Sequence, residues 1–223
     1  MNLFLRLKKW CICRCTSKLE VTARQHRPNY LYFVSQNNPM PLTASNPYPK
    51  GVTAPDFVLT DVVSEKEMAL QSIKGDLGTV IFFICNHCPF VIHINKELVR
   101  MANEYGSKGI GFIAISSNDI NKYPADSPEK MKIQAMKEGY PFPYLYDEAQ
   151  EVAKAYGATC TPDLYVFDSD LKSVYHGQLD NSRPGNEIPV SGRDLRNVLE
   201  IMLQNGVYQG NPKPSIGCGI KWK

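Results

Sequence analysis

The stretch Val80-Ile81-Phe82-Phe83-Ile84-Cys85-Asn86-His87-Cys88-Pro89 joins an apolar run to a pair of cysteines. Five consecutive apolar residues are typical of a strand that is buried on both faces of a sheet. The segment from Phe90 to Tyr105 has apolar residues at helical spacing, which predicts a helix. The two cysteines therefore lie where a strand gives way to a helix. Free N–H groups and the macrodipole at a helix N-terminus stabilise a thiolate, so the pattern predicts thiol redox chemistry.

Pro89 indicates which cysteine is the nucleophile. If Cys85 capped the helix, Pro89 would stand at the fourth helical position, where a backbone N–H is needed. Proline is instead favoured at the first helical position, and the residue before a proline avoids the helical region. Cys88 is then the cap residue and the predicted nucleophile. Cys85, at the end of the strand, is the predicted resolving cysteine.

A metal site is the alternative interpretation of the same motif. Two cysteines separated by two residues can form half of a zinc or copper site, and His87 and His93 lie nearby in the sequence. The usual structural zinc pattern has a second pair of ligands, whereas only Cys160 and Cys218 remain downstream, each alone. A binding module that uses Cys85, Cys88 and a histidine therefore stays open beside the redox interpretation.

Composition and charge limit the classes of function. The chain has 223 residues, 43% of them hydrophobic and 21% charged, as in an ordinary globular domain. No apolar stretch approaches the roughly 18 to 20 residues that span a bilayer, so we expect no membrane partner. Residues 1–39 hold seven basic residues and one acidic residue, a charge of +6, which leaves −3 for residues 40–223 out of a total of +3. A mildly acidic body gives no support for nucleic-acid binding.

Residues 1–39 are predicted to lie outside the folded domain, which we expect to span residues 40–223. The segment is basic, lacks clear periodicity and carries Cys11, Cys13 and Cys15. An organellar presequence, a disordered extension and translated upstream sequence before a start at Met40 remain as interpretations. Without a secretory signal the expected compartment is the reducing cytoplasm, or an organelle if residues 1–39 are a presequence.

The remaining segments alternate in a way that predicts an α/β domain. A strand, a helix and the apolar run Gly109–Ser116 together predict a right-handed βαβ unit with parallel strands. The other predicted strands are Ala54–Leu59 with the hairpin partner Met68–Leu70, Tyr144–Asp147, Asp163–Asp168 and Ser173–Gly177. Further helices are predicted to begin at Ser127, to run from Glu148 to Tyr156 and to run from Gly192 to Asn205.

This order of elements, with Thr161-Pro162 before a late strand, resembles the thioredoxin fold: a central mixed sheet flanked by helices, here with an N-terminal hairpin extension. More specifically, five segments resemble the peroxiredoxin-like branch of the AhpC/TSA thioredoxin superfamily, and the resemblance covers about residues 40–223. Those segments are Ala54-Pro55-Asp56-Phe57, Asn86-His87-Cys88-Pro89-Phe90-Val91, Ala114-Ile115-Ser116-Ser117-Asn118-Asp119, Cys160-Thr161-Pro162-Asp163 and Ser215-Ile216-Gly217-Cys218.

The resemblance implies roles for several of these residues. It implies that Pro162 is a cis proline lying against the dithiol and that Cys88 occupies the position of a peroxidatic cysteine. It also implies that Cys160 lies close to Cys88, as a candidate accessory thiol. The tail cysteine Cys218 is a candidate resolving thiol for an oxidised Cys88.

The motif departs from that of a peroxiredoxin at three points. Ile81 and Cys85 stand where a peroxiredoxin usually has proline and threonine, and no arginine occurs between Glu151 and Asp168. The groups that activate a peroxide are thus missing from their expected positions. We therefore expect thiol–disulfide exchange, with hydroperoxide reduction as the alternative.

The sequence therefore predicts an oxidoreductase that acts on a protein or small-molecule disulfide, or on a hydroperoxide. A thiol reductant would restore the enzyme, and we expect no organic cofactor or metal to be required. The predicted site comprises Cys88, Cys85, Thr161 and Pro162.

Overall fold

The structure is a computed structural model that describes residues 42–223. The predicted extension, residues 1–39, lies outside the described residues. The strands are β1 Leu42–Ala44, β2 Val58–Asp61, β3 Glu67–Ala69, β4 Gly78–Phe83, β5 Ile110–Ser116, β6 Tyr144–Tyr146, β7 Cys160–Thr161, β8 Asp163–Asp168, β9 Ser173–Gly177 and β10 Ile216–Gly219. The helices are α1 Leu70–Ile73, α2 Pro89–Gly106, α3 Pro128–Glu138, α4 Glu151–Tyr156 and α5 Arg193–Leu203, with a 3₁₀ turn at Pro124–Asp126.

The βαβ unit at the centre of the fold is β4–α2–β5. All six residues of β4 are buried, as expected for a strand with helices on both faces. β4 and β5 are parallel, with Gly78 opposite Ile110 and Phe83 opposite Ile115. The predicted βαβ unit is confirmed, with boundaries that differ by a residue or two.

A seven-stranded mixed sheet runs in the order β3-β2-β6-β5-β4-β8-β9. β4, β5 and β6 are parallel, whereas β8 and β9 are antiparallel to their neighbours. β2 and β3 form the predicted antiparallel hairpin at one edge. The fold-class prediction, a thioredoxin-like α/β fold with a central mixed sheet and an N-terminal hairpin, is confirmed.

Side chains of β4 alternate between two apolar layers. Val80 and Phe82 belong to the cluster that includes apolar residues of α2, α3 and α5. Ile81 and Phe83 belong to the cluster that includes residues of α1 and α4. Burial of these apolar surfaces is the main stabilising contribution to the domain. It also fixes the end of β4, and hence the start of the cysteine motif.

A second, three-stranded sheet was not predicted. It has the order β1-β10-β7, and Cys218 of β10 pairs with Leu42 on one side and with Thr161 on the other. A Cβ atom added to Gly217 would lie 2.0 Å from the Thr161 carbonyl oxygen, so only glycine allows this approach. The sheet brings the C-terminal segment to the Thr161-Pro162 turn.

None of the helices described between residues 42 and 223 combines the length and the apolar character that crossing a bilayer requires.

Candidate active site

Cys88 is the N-cap residue of α2, as predicted. Its backbone is extended, with φ −70° and ψ 121°, and Pro89 is the first helical residue. The Ile92 N–H donates to the Cys88 carbonyl oxygen at 3.0 Å and closes the first turn. The thiol therefore lies at the end of the helix where backbone N–H groups are unpaired.

The Cys88 sulfur contacts another sulfur. Cys88 Sγ lies 3.0 Å from Cys218 Sγ and donates to the Thr161 carbonyl oxygen at 3.1 Å. A disulfide bond is about 2.05 Å long, so the two sulfurs lie within about 1 Å of bonding distance. Both residues are free thiols and both are buried.

Cys85 is the other thiol next to Cys88. Its sulfur is 3.5 Å from Thr161 Oγ1, and interaction with Cys88 raises the pKa of its thiol. Thr161 thus contacts both cysteines of the motif, one through its hydroxyl group and one through its carbonyl group. The predicted residues Cys85, Cys88 and Thr161 come together here, and Cys218 joins them from the C-terminal strand.

The environment of Cys88 favours its thiolate. Hydrogen bonds from the Cys218 and Cys85 thiols hold the pKa of Cys88 well below its ordinary value, against the opposing effect of burial. The Val91 N–H in the first turn lowers the Cys88 pKa further, although it forms no aligned hydrogen bond with the sulfur. The Thr161 side chain also lowers the Cys88 pKa, whereas its carbonyl oxygen can accept only from the protonated thiol. The hydrogen bonds from the two thiols are the largest contributions, so the net shift of the Cys88 pKa favours the thiolate.

The pKa values of the two neighbouring thiols shift in the opposite direction, upward. The hydrogen bond to Cys88 and burial raise the pKa of Cys85, and the charge of Asp126 raises it further. The hydrogen bond to Cys88 likewise raises the pKa of Cys218, together with burial. One sulfur of the three is therefore the preferred site of negative charge, and the other two retain their protons.

The Thr161–Pro162 peptide bond is cis, as predicted. Pro162 lines a small pocket beside the site together with Phe90 and His93 of α2. Arg183 lines the same pocket, but its guanidinium donates to the carbonyl oxygens of Asp180 and Ser182. Arg183 therefore stabilises the turn that follows β9.

Cys160 does not share the Cys88 contacts. Its sulfur lies 3.7 Å from the Pro162 carbonyl oxygen, and burial raises the pKa of its thiol. A buried thiol with a raised pKa is a weak nucleophile. Among the described residues, Cys85 and Cys218 are the thiols that contact Cys88.

A second polar cluster adjoins Cys85. Cys85 Sγ, a His87 ring nitrogen and an Asp126 carboxylate oxygen all lie within 4.8 Å of one another. His93, the other histidine considered from the sequence, instead pairs with Ser182 Oγ at 2.7 Å. The metal site considered from the sequence has Cys85, Cys88 and a histidine as its ligands. In the structure, the group of possible ligands is instead Cys85, His87 and Asp126. No local pattern marks Asp126 in the sequence, because it lies in a polar loop 40 positions from Asn86, to which its carboxylate is hydrogen-bonded.

Comparison with known proteins gives both close and distant relatives. The chain is 57% identical to an uncharacterised conserved protein from Geobacillus kaustophilus, whose crystal structure superposes with a TM-score of 0.82 over 83% of this chain and 98% of that one. A thioredoxin domain of a thiol-disulfide oxidoreductase from Bacteroides vulgatus shares the fold, with a TM-score of 0.55, 18% identity, and coverage of 70% of this chain and 99% of that one.

Among curated proteins, the chain is similar to the thiol-disulfide oxidoreductase ResA of Bacillus thuringiensis. The two are 26% identical over 127 residues, which is 56% of this chain. The match spans 66% of the length of that relative.

The AhpC/TSA family profile matches residues 51–176. This range includes β2 to β8 and therefore Cys85, Cys88, Thr161 and Pro162. Because the match covers more than half of the sequence, the chain belongs to the AhpC/TSA family.

Proposed function

We propose that this protein is a thiol–disulfide oxidoreductase in which Cys88 is the nucleophile and Cys85 and Cys218 are alternative resolving thiols. The observation that carries the proposal is the arrangement of three sulfurs: Cys88 Sγ lies 3.0 Å from Cys218 Sγ, and interaction with Cys88 raises the pKa of the neighbouring Cys85 thiol. The similarity of the chain to ResA, a thiol-disulfide oxidoreductase, supports the same class of reaction.

The first step is attack of the Cys88 thiolate on one sulfur of a substrate disulfide. The new bond is a mixed disulfide between Cys88 and that half of the substrate, and the other half leaves as a thiolate that takes up a proton. The lowered pKa of Cys88 supports this role because the thiolate is the attacking species.

The second step is attack of Cys85 or Cys218 on Cys88 Sγ. The resolving thiol loses its proton, the substrate leaves as a second thiol, and Cys88 ends in an intramolecular disulfide. The protein loses two electrons and the substrate disulfide gains them. An external thiol reductant then restores the dithiol by the same exchange.

Access to Cys88 requires local movement because the sulfur is buried. Cys218 is the thiol already in contact, whereas Cys85 belongs to the short turn that precedes α2. Opening of β10 would expose Cys88 and withdraw Cys218, which leaves Cys85 as the resolving thiol. With β10 in place, Cys218 is available.

Hydroperoxide reduction is a second candidate, favoured by the same Cys88–Cys218 contact. Attack of Cys88 on a hydroperoxide would give a sulfenic acid and an alcohol, and Cys218 would then form the disulfide with loss of water. Among the described residues, however, the contacts of Cys88 Sγ are with thiols and a carbonyl group rather than with an arginine. Disulfide exchange therefore remains the preferred reaction.

The test uses the full chain with Cys11, Cys13 and Cys15 replaced by serine, hereafter the N-terminal serine background. Reduced protein is mixed separately with glutathione disulfide and with hydrogen peroxide, and consumption of protein thiols is followed in time. We expect faster reaction with the disulfide at equal concentration, and formation of Cys85–Cys88 and Cys88–Cys218 bonds. Faster reaction with peroxide would favour the second candidate. No Cys88-dependent reaction with either oxidant would reject both.

A further inference from the structure

The Asp126 carboxylate is buried beside the active site without a lysine or arginine partner among the described residues. Its side chain is fully buried at the end of the 3₁₀ turn. One oxygen accepts the Asn86 N–H at 2.8 Å, and the other accepts an N–H of Asn118 at 2.8 Å. Its ion-pair contact is with His87 Nδ1 at 2.7 Å. A buried carboxylate is costly unless a positive group compensates its charge.

His87 is the neighbouring imidazole, and its ring nitrogens are incompletely satisfied. Its ring stacks on Tyr123, with centroids 5.4 Å apart and planes 7° apart. Both ring nitrogens are buried, and neither makes an aligned hydrogen bond, although Nδ1 lies close to Asp126. Buried polar atoms are rarely left without partners. The imidazole is therefore held beside a carboxylate and a thiol, with Nδ1 against Asp126 and Nε2 buried without a hydrogen-bond partner among the described residues.

The loop that carries these groups is fixed before any ligand arrives. The Asn86 side-chain N–H donates to the Ala125 carbonyl oxygen at 2.8 Å, and the Tyr144 hydroxyl donates to Asn86 Oδ1 at 3.2 Å. With the main-chain bond from Asn86 to Asp126, these contacts tie the cysteine motif to the 3₁₀ turn. Such surrounding contacts orient metal ligands in proteins.

We propose that the reduced protein binds one Zn²⁺ ion between Cys85 Sγ, His87 and Asp126. Thiolate, imidazole and carboxylate are the ligand types of zinc, at about 2.3 Å for sulfur and about 2.0–2.2 Å for nitrogen and oxygen. Donor atoms that all lie within 4.8 Å of one another reach those distances by shifts of about 1 Å. Water would occupy the fourth position.

The charges favour zinc over copper. One thiolate and one carboxylate balance the two positive charges of Zn²⁺, and binding releases one proton from the Cys85 thiol. Cu(I) prefers soft sulfur ligands, and two of the three donors here are a nitrogen and an oxygen. The ion would place a full positive charge beside the buried Asp126 carboxylate.

Zinc binding to the reduced protein does not depend on the proposed redox function. Release of the ion on oxidation does rest on that function. Oxidation by a substrate disulfide converts Cys85 to a disulfide with Cys88 and passes two electrons to the substrate. The thiolate ligand is then lost, and the ion is released. Zinc bound to reduced protein would in turn occupy Cys85 and leave Cys218 as the resolving thiol.

The test is a zinc titration of the reduced full chain in the N-terminal serine background, by calorimetry under anaerobic conditions. We expect one equivalent per chain. His87→Ala, Asp126→Asn and Cys85→Ser should each weaken binding at least about tenfold. The control His93→Ala should leave binding unchanged, because His93 pairs with Ser182 outside the cluster. Circular dichroism of each variant verifies that it is folded.

Cobalt substitution provides a second readout. Co²⁺ should give a thiolate-to-metal absorption band that is lost in Cys85→Ser and altered in His87→Ala. Absence of stoichiometric zinc binding would overturn the proposal. Binding that persists at full strength in both His87→Ala and Asp126→Asn would also overturn it, since the ion would then be held by thiols alone. Neither result would bear on disulfide exchange, which is assayed without metal.

Discussion

Cys85 and Cys218 reach the same sulfur by different routes along the chain. Cys85 is three positions before Cys88, in the turn that follows β4. Cys218 is 130 positions after it, on a strand whose partners are β1 and β7. The first approach depends on a local strand-to-helix junction and the second on a small sheet built from distant segments.

The two contacts are expected to differ in how easily they are lost. The local pair persists for as long as β4 and α2 stay packed, because both elements belong to the core. The distant pair depends on β10, a four-residue strand in a three-stranded sheet. Short strands with few buried apolar contacts open at low free energy. We therefore expect Cys85 to be the constant resolving partner and Cys218 the conditional one.

The largest expected effect is that of Cys88→Ser, which should lower the rate of disulfide exchange at least about a thousandfold because both routes end at this sulfur. The measurement is glutathione disulfide consumption by reduced protein in the N-terminal serine background. Cys160→Ala is the matched control and should change the rate less than about twofold, since the raised pKa of Cys160 makes it a weak nucleophile. Equal losses in the two variants would contradict the assignment of Cys88.

The next effect concerns resolution of the mixed disulfide. Cys85→Ser and Cys218→Ser alone should each still resolve a Cys88–glutathione adduct through the thiol that remains. The double variant should prolong the lifetime of that adduct at least about tenfold, because no neighbouring thiol remains at high effective concentration. Intact-protein mass spectrometry over time measures that lifetime. A single variant with the lifetime of the double variant would show that one resolving thiol suffices and would remove the other from the mechanism.

Gly217→Ala tests the contact between Cys218 and Cys88 separately from that of Cys85. The added Cβ would lie 2.0 Å from the Thr161 carbonyl oxygen, so we expect β10 to shift, at a cost of about 1–3 kcal/mol in the free energy of unfolding. Thermal unfolding and disulfide mapping measure the result. Cys88–Cys218 bonds should become rare, and Cys85–Cys88 bonds should remain.

Gly219→Ala is the matched control for that variant. Its new Cβ would lie 3.2 Å from Thr43 Oγ1, which a small side-chain movement relieves, and 3.9 Å from the Thr159 carbonyl oxygen, an ordinary contact distance. If Gly217→Ala retained the Cys88–Cys218 bond at the control's level, β10 would not be what holds Cys218 against Cys88.

The smallest effect is a shift of a titration midpoint. A lowered pKa means that Cys88 is a thiolate at pH values where an ordinary thiol, with a pKa of roughly 8.5, is protonated. Iodoacetamide labelling of Cys88, scaled to its rate at high pH, should therefore reach half-maximum below that value. Cys218→Ala removes the principal donor to the Cys88 sulfur and should move the midpoint upward. A downward shift would mean that Cys218 does not stabilise the thiolate.

The position of Cys85 and Cys88 at the strand-to-helix junction could be predicted from sequence. The position of Cys218 beside Cys88 could be predicted only in part. The apolar run before Cys85 and the proline after Cys88 are local signals, and they place the nucleophile at the start of α2 as the structure does. β10 carries no comparable signal, because two of its four residues are glycines. Its extended form depends on pairing with β1 and β7, which are far away in the sequence.

Asp126 illustrates the same limit. An aspartate in a polar loop is usually a solvent-exposed residue, yet this one is fully buried against His87 and the turn of the cysteine motif. Its neighbours come from the packing of the 3₁₀ turn against the turn of the cysteine motif. Neither the composition nor the spacing of the loop contains that information.

The most direct test of the central claim is to trap the mixed disulfide. The double variant Cys85→Ser and Cys218→Ser, in the N-terminal serine background, is reduced, exposed briefly to one equivalent of glutathione disulfide, quenched with acid and mapped by peptide mass spectrometry. The two remaining thiols are Cys88 and Cys160. A glutathione adduct predominantly on Cys88 is the predicted result. An adduct predominantly on Cys160, or no adduct on folded protein, would contradict the claim that Cys88 is the nucleophile.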